Sequence, residues 1–259
     1  SGSRTTGKIP MPLLPVLYYQ GKRVKARVPR LPEAAGPAGR SGAPSGSPLR
    51  LLVLGESTMA GVGVKTHAEG FAGTLSDELA ERLGADVQWR VYARSGYTAQ
   101  QVRERLVPQI EPAAADLIVV GLGANDAFAL NSPRKWRRDV TGLIDALQAR
   151  CPAATIAFVN MPPIKAFPAF PTLLKQIVGS LVELLGAELK ALAAGRPDVY
   201  FYDRILSLQD WRERRQVAAP PEAFFSDGVH PSRLTYRLWA SDVARSEERR
   251  VGKECATGC

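Results

Sequence analysis

The chain has 259 residues, 45% hydrophobic and 23% charged, which suits one α/β domain with a sizeable core and is short for two. No stretch approaches the ~20 apolar residues of a membrane-spanning helix; the apolar run Leu13 to Tyr19 is broken by Pro15 and lacks a clear cleavage site, so no signal peptide is read and the compartment, cytoplasmic or periplasmic, stays open. The formal charge of +9 belongs to an N-terminal arm, since residues 1–50 hold nine Lys/Arg and one acid, Glu33, while residues 51–244 balance; the body is therefore not a nucleic-acid binder.

Residues 1–48 read as a basic arm and linker, rich in Pro, Gly, Ser and Arg and without hydrophobic periodicity. From Leu49 apolar runs alternate with amphipathic segments. Leu51 to Leu54 reads as a buried parallel strand ending at Gly55. Thr66 and Glu69 have capping-box spacing, and Phe71, Leu75, Leu79 and Leu83 mark one helix face. Val87 to Ala93 and Leu117 to Leu122 are the second and third strands. Ser132-Pro133 opens a helix with Leu143 and Leu147 inward. Thr155 to Val159 is a fourth strand, Thr172 to Ala194 a long helix with Leu173, Ile177, Leu181 and Leu185 on one face, and Val199 to Tyr202 a fifth strand. Pro231-Ser232 begins a last helix carrying Tyr236, Trp239 and Val243. This alternation implies a parallel sheet covered on both faces, whose ligands bind at the carboxyl ends of the strands.

Four blocks with chemical potential fall at such ends or just before the last helix: Gly55-Glu56-Ser57-Thr58, Ser95-Gly96-Tyr97, Gly123-Ala124-Asn125-Asp126 and Asp227-Gly228-Val229-His230. Acyl transfer needs a hydroxyl nucleophile with a neighbouring base, a carboxylate to orient that base, and donors for the oxyanion. Ser57, His230 and Asp227 supply the first three. The Ser57 and Gly96 backbone N–H groups and the Asn125 side-chain amide supply the donors. The chain has two histidines, so the choice of base is nearly forced. His67 has Val64, not a carboxylate, three residues before it, and reads as a surface or cap-adjacent residue.

In order and residue type the four blocks resemble those of the SGNH (GDSL-like) serine hydrolase superfamily, over about residues 49–244. The family's catalytic Ser, Gly, Asn and His fall on Ser57, Gly96, Asn125 and His230, and its acid on Asp227. The resemblance implies a flavodoxin-like three-layer α/β/α sandwich with a five-stranded parallel sheet, and ester or thioester hydrolysis with no metal or organic cofactor. One departure stands out: Glu56 occupies a position where the family usually has Asp.

The apolar segment after the fourth strand, with Met161, Phe167 and Phe170, reads as an acyl-pocket wall or lid. This points to a small-molecule ester of short to medium acyl chain. Lysophospholipase or thioesterase action at a membrane, and carbohydrate O-deacetylation, are the competing enzyme readings. The non-enzyme alternative is a peripheral membrane module, because residues 12–30 place apolar residues beside Lys22, Arg23, Lys25 and Arg27 and suit weak contact with anionic lipid. Nucleotide binding is set aside: Val64, not Gly, precedes Lys65 in the loop-like Gly61 to Thr66, and Asp126 stands where a dinucleotide fingerprint needs glycine. Cys151, Cys255 and Cys259 show no metal-ligand spacing. Residues 245–259 resemble translated sequencing-adapter DNA, a reading that makes them a non-native tail and the gene environmental and bacterial; the alternative reading is an ordinary charged helix end. No reading of the oligomeric state follows.

Overall fold

The computed structural model describes Arg23 and residues 31–257, except 45, 168, 205–207 and 215. The expected lipid-contacting stretch 12–30 lies outside the described residues apart from Arg23, as do the last two residues of the tail. Among the described residues no helix is long and apolar enough to cross a membrane.

A six-stranded sheet runs in the order β1-β3-β2-β4-β5-β6. The strands are β1 (Ala38–Ser41), β2 (Leu49–Gly55), β3 (Val87–Ala93), β4 (Leu117–Gly121), β5 (Thr155–Phe158) and β6 (Val199–Phe201). The five strands read from the sequence are all present and parallel. The sixth, β1, lies in the stretch expected to be a linker and pairs antiparallel with β3 along the sheet edge. Its Pro- and Gly-rich composition hides it, because an edge strand needs only one row of hydrogen bonds and little apolar character. The Arg40 guanidinium binds the carboxylate of Asp86 through two nitrogens, which ties β1 to the turn before β3.

The helices are α1 (Phe71–Leu83), α2 (Ala99–Arg105), α3 (Ala124–Phe128), α4 (Pro133–Arg150), α5 (Thr172–Ala194), α6 (Leu208–Arg214) and α7 (Arg233–Thr257). Alternation along each strand divides the core. Leu52, Leu54, Ile118, Val120, Ile156 and Phe158 face α2, α4 and α5. Leu51, Val53, Val87, Trp89, Leu117 and Val119 face α1 and α7, where the Phe71 and Trp239 rings meet at 4.7 Å. Fully buried strands covered on both faces explain the unbroken apolar runs.

Two local readings are corrected. The Thr66/Glu69 capping box does not form: α1 begins at Phe71 after Gly70, and the His67 carbonyl accepts from the Gly70 and Gly73 amides. A backbone carbonyl thus does the work expected of a side chain. On α5 the buried face is Leu174, Val178, Val182, Leu185 and Leu189. Leu173, Ile177 and Leu181 pack at its flank, because the apolar stripe is wide enough to offer two adjacent seams.

Trp136 is wholly buried on α4, and its indole N–H donates to the Leu185 carbonyl on α5 at 3.0 Å. Trp136→Phe should destabilise the domain by about 1–3 kcal/mol, from lost volume and a lost buried donor. Urea unfolding would read this as a lower midpoint at unchanged slope.

Candidate active site

In the sheet register Gly55 stands opposite Ala93 on one side and Gly121 on the other, so β2, β3 and β4 end level. Three of the four sequence blocks begin just past these ends. Between β2 and its two neighbours the strand order reverses, which is where open α/β sheets bind ligands.

Ser57 opens a tight turn, with the Val62 amide donating to the Ser57 carbonyl at 3.1 Å and Ala60 to Glu56 at 2.8 Å. The loop carrying His230 is stitched to this turn. Tyr236 of α7 donates its hydroxyl to the Val62 carbonyl at 2.8 Å, and the Ser226 hydroxyl lies 3.1 Å from the Gly63 carbonyl and 2.8 Å from that of Pro231. Gly63 has φ +107°, and a Cβ there would lie 2.3 Å from the Pro231 carbonyl oxygen, so the two loops meet only because this residue is glycine.

His230 Nδ1 lies 2.7 Å from Asp227 Oδ2, while the other carboxylate oxygen accepts from the backbone amides of Val229 at 3.0 Å and His230 at 2.7 Å. Burial pushes the Asp227 carboxyl up, but the His230 ring and these amides outweigh it and hold the group below its ordinary value. Asp227 is therefore ionised at neutral pH and accepts a hydrogen bond from Nδ1–H of the neutral ring, which leaves Nε2 free to act as a base.

Ser57, Asn125 and His230 line one cavity of about 120 Å³ with Phe167, Trp211 and Trp239. No direct hydrogen bond joins Ser57 to His230 among the described residues; such contacts are often long before substrate binds. Asn125 Nδ2 donates to the Tyr97 carbonyl at 3.1 Å, and the same side chain interacts with the Glu56 carboxylate. Gly96 sits outside the cavity lining, on an exposed turn at φ +86°. The Arg94 amide ties that turn to the Gly55 carbonyl at 3.1 Å.

Of the three expected substrate contacts, Phe167 lines the cavity, whereas Met161 and Phe170 do not. Phe170 is buried behind it, its ring 5.5 Å from those of both Phe128 and Phe167. Met161 packs on the α4–α5 side of the core. Their places in the wall go to Pro162, Pro163, Ile164 and Ala166 of the same segment. Trp211 is only 4% exposed and donates its indole N–H to Asp242 at 2.7 Å. His67 is also buried, at 5% exposure, because residues 33–35 cover it and the Ala35 carbonyl takes its amide. Burial lowers its pKa against the pull of Glu33.

Sequence reasoning did not foresee the role of Glu56. It is buried, and its two carboxylate oxygens accept from the Ala124 and Asn125 amides, each at 3.0 Å. The side chain thereby caps α3 and holds the backbone that carries the Asn125 amide. Next to it Asp126, wholly buried, accepts from the Ala99 amide at 2.9 Å and from Asn131 at 2.7 Å, which joins α2 to the same turn.

The GDSL-like lipase/acylhydrolase family profile matches residues 53–238. The chain belongs to the GDSL-like lipase/acylhydrolase family. Solved structures that resemble this family member include the psychrotrophic esterase EstA of Pseudoalteromonas sp., 19% identical with a TM-score of 0.51 over 78% of this chain and 98% of that one. A family 3 carbohydrate esterase of Clostridium thermocellum is 16% identical, with a TM-score of 0.55 over 78% and 100% of the two chains. The lipase Lip_vut3 from a goat rumen metagenome is 18% identical, with a TM-score of 0.54 over 78% and 96%. At these identities the likeness is one of fold. Comparison with curated proteins gives no match. As a GDSL-like acylhydrolase the chain is an ester-hydrolysing enzyme.

Burial raises the Glu56 carboxyl from 4.5 to about 7, against the lowering effect of its two amide bonds. The folded state thus holds this proton more tightly than the unfolded chain. Glu56 contributes stability that is complete below pH 4.5 and is lost as pH rises to about 7, roughly 3 kcal/mol across the window. Melting temperature should fall between pH 5 and pH 7.5, with a shallower fall in Glu56→Gln. Parallel profiles in the two proteins would count against this burial.

Proposed function

We propose that this acylhydrolase is a serine esterase acting on uncharged esters of short to medium acyl chain through an acyl-enzyme on Ser57. The observation that carries the reading is the His230–Asp227 pair at 2.7 Å, with His230, Ser57 and Asn125 on one small apolar cavity.

His230 Nε2 takes the Ser57 proton as Oγ attacks the ester carbonyl. The oxyanion of the tetrahedral intermediate receives hydrogen bonds from the Ser57 and Gly96 amides and from the Asn125 side-chain amide. His230 then protonates the departing alcohol. Water, deprotonated by His230, releases the acid and restores Ser57. Asp227 stays ionised throughout and stabilises the imidazolium. No step needs a metal or cofactor.

A cavity of about 120 Å³ is small beside the ~300–1,000 Å³ of sites for drug-sized ligands. Its walls of Phe, Pro, Ile and Trp suit an acyl chain rather than a sugar ring. Each methylene that reaches the wall adds up to ~0.8 kcal/mol of burial, and those beyond it stay in water while their ordering still costs entropy.

Ser57→Ala should abolish both ester hydrolysis and fluorophosphonate labelling, with near-ultraviolet circular dichroism unchanged. Asp227→Asn should keep a larger residual activity, since the orienting acid is the more dispensable member of a triad. Persistent labelling of Ser57→Ala would remove Ser57 as nucleophile.

On a p-nitrophenyl ester series from acetate to palmitate, kcat/KM should rise over the first few carbons and then level or fall. Faster hydrolysis of palmitoyl than of butyryl esters would transfer the assignment to a lipase or lysophospholipase.

A further inference from the structure

We propose that residues 33–35, which precede the family match at 53–238, form a strap belonging to the active site, with Glu33 as positioning residue for the turn that presents Gly96. The inference rests on the serine-esterase reading for its catalytic part, and on geometry alone for the strap.

Glu33 Oε1 accepts from the Ser95 amide at 2.7 Å, and its other oxygen takes Arg94 Nη1 at 3.2 Å. Ser95 is the residue directly before Gly96, so the carboxylate fixes the Arg94–Ser95 peptide, the unit immediately before the one that carries the Gly96 N–H. The strap is anchored directly after Glu33. The Ala34 amide donates to the Ala60 carbonyl at 2.9 Å, inside the turn that carries Ser57. The Ala35 amide donates to the Lys65 carbonyl at 3.0 Å, and the Ala35 carbonyl takes the His67 amide at 2.9 Å. Two residues on, the Pro37 carbonyl accepts from Val91, and the chain enters β1.

The Gly96 turn is thus held from two directions. Asn125 Nδ2 grips the Tyr97 carbonyl from the cavity side, and Glu33 grips the Ser95 amide from outside. Gly96 at φ +86° has the backbone freedom that makes such holding necessary. A carboxylate beside an oxyanion site raises the energy of developing negative charge. Arg94, paired with Glu33 at 3.2 Å, offsets that charge while the acceptor stays in place.

The test compares wild type, Glu33→Ala and Glu33→Gln in the full chain, by kinetics on the p-nitrophenyl ester that wild type turns over best and by amide hydrogen exchange over residues 94–97. Glu33→Ala should lower kcat about tenfold with KM unchanged, the signature of a misplaced transition-state donor. It should also speed exchange at 94–97 and not across the sheet. Glu33→Gln keeps a carbonyl acceptor and should recover most of both. Unchanged kcat and exchange in Glu33→Ala, a change in KM alone, or faster exchange across the whole chain would each overturn the strap. If wild type hydrolyses no ester, the serine-esterase reading fails and takes the catalytic part with it, while the exchange measurement still decides whether Glu33 holds the turn.

Discussion

Gly55 pairs in parallel with Ala93 on one side and Gly121 on the other, and this level ending of three strands is the constraint on which the site is built. Strands that end level deliver Ser57, the Gly96 turn and Asn125 to one place, although they are spread over more than sixty residues of chain. A one-residue slip of β4 would exchange the side chains it packs into its two covered faces and move Gly121 out of line with Gly55. The two-sided core of Leu, Val and Ile therefore sets the register, and the register sets the chemistry.

Three buried carboxylates near the strand ends show how one type of group takes different roles by environment. Asp227 has the His230 ring and two amides, and stays below its ordinary value. Asp126 and Glu56 have backbone amides and an asparagine, and burial raises both. Asp227 holds the His230 ring at Nδ1. Glu56 and Asp126 accept from amides at the starts of α3 and α2, and so fix the backbone around Asn125. The extra methylene of Glu56 does not prevent this; its two oxygens reach two successive amides.

The edge of the sheet extends the domain beyond the family match. β1 pairs with β3, and the segment before it touches the Ser57 turn, the His67 loop and the Arg94–Tyr97 turn through backbone bonds and Glu33. That segment also explains why His67 is buried. Its contacts depend on carbonyls and amides, which every residue carries, so composition gave no sign of them.

The sequence by itself determined the alternation of five strands and their helices, because strand and helix periods are local and each strand's apolar run shows its burial on both faces. It also singled out Ser57, Asn125, Asp227 and His230 as candidates for the chemistry: the second of only two histidines has a carboxylate three residues before it, and the other blocks follow strands. Tertiary structure decided what no local pattern carries. It joined Glu56 to Asn125, Glu33 to Ser95 and Tyr236 to Val62, pairs whose partners lie sixty or more residues apart. It chose which of two seams on α5 faces inward, and which residues between Met161 and Phe170 line the cavity. Those choices follow from how helices and loops pack against a finished sheet, and their energy comes from surfaces that do not exist until the sheet has formed.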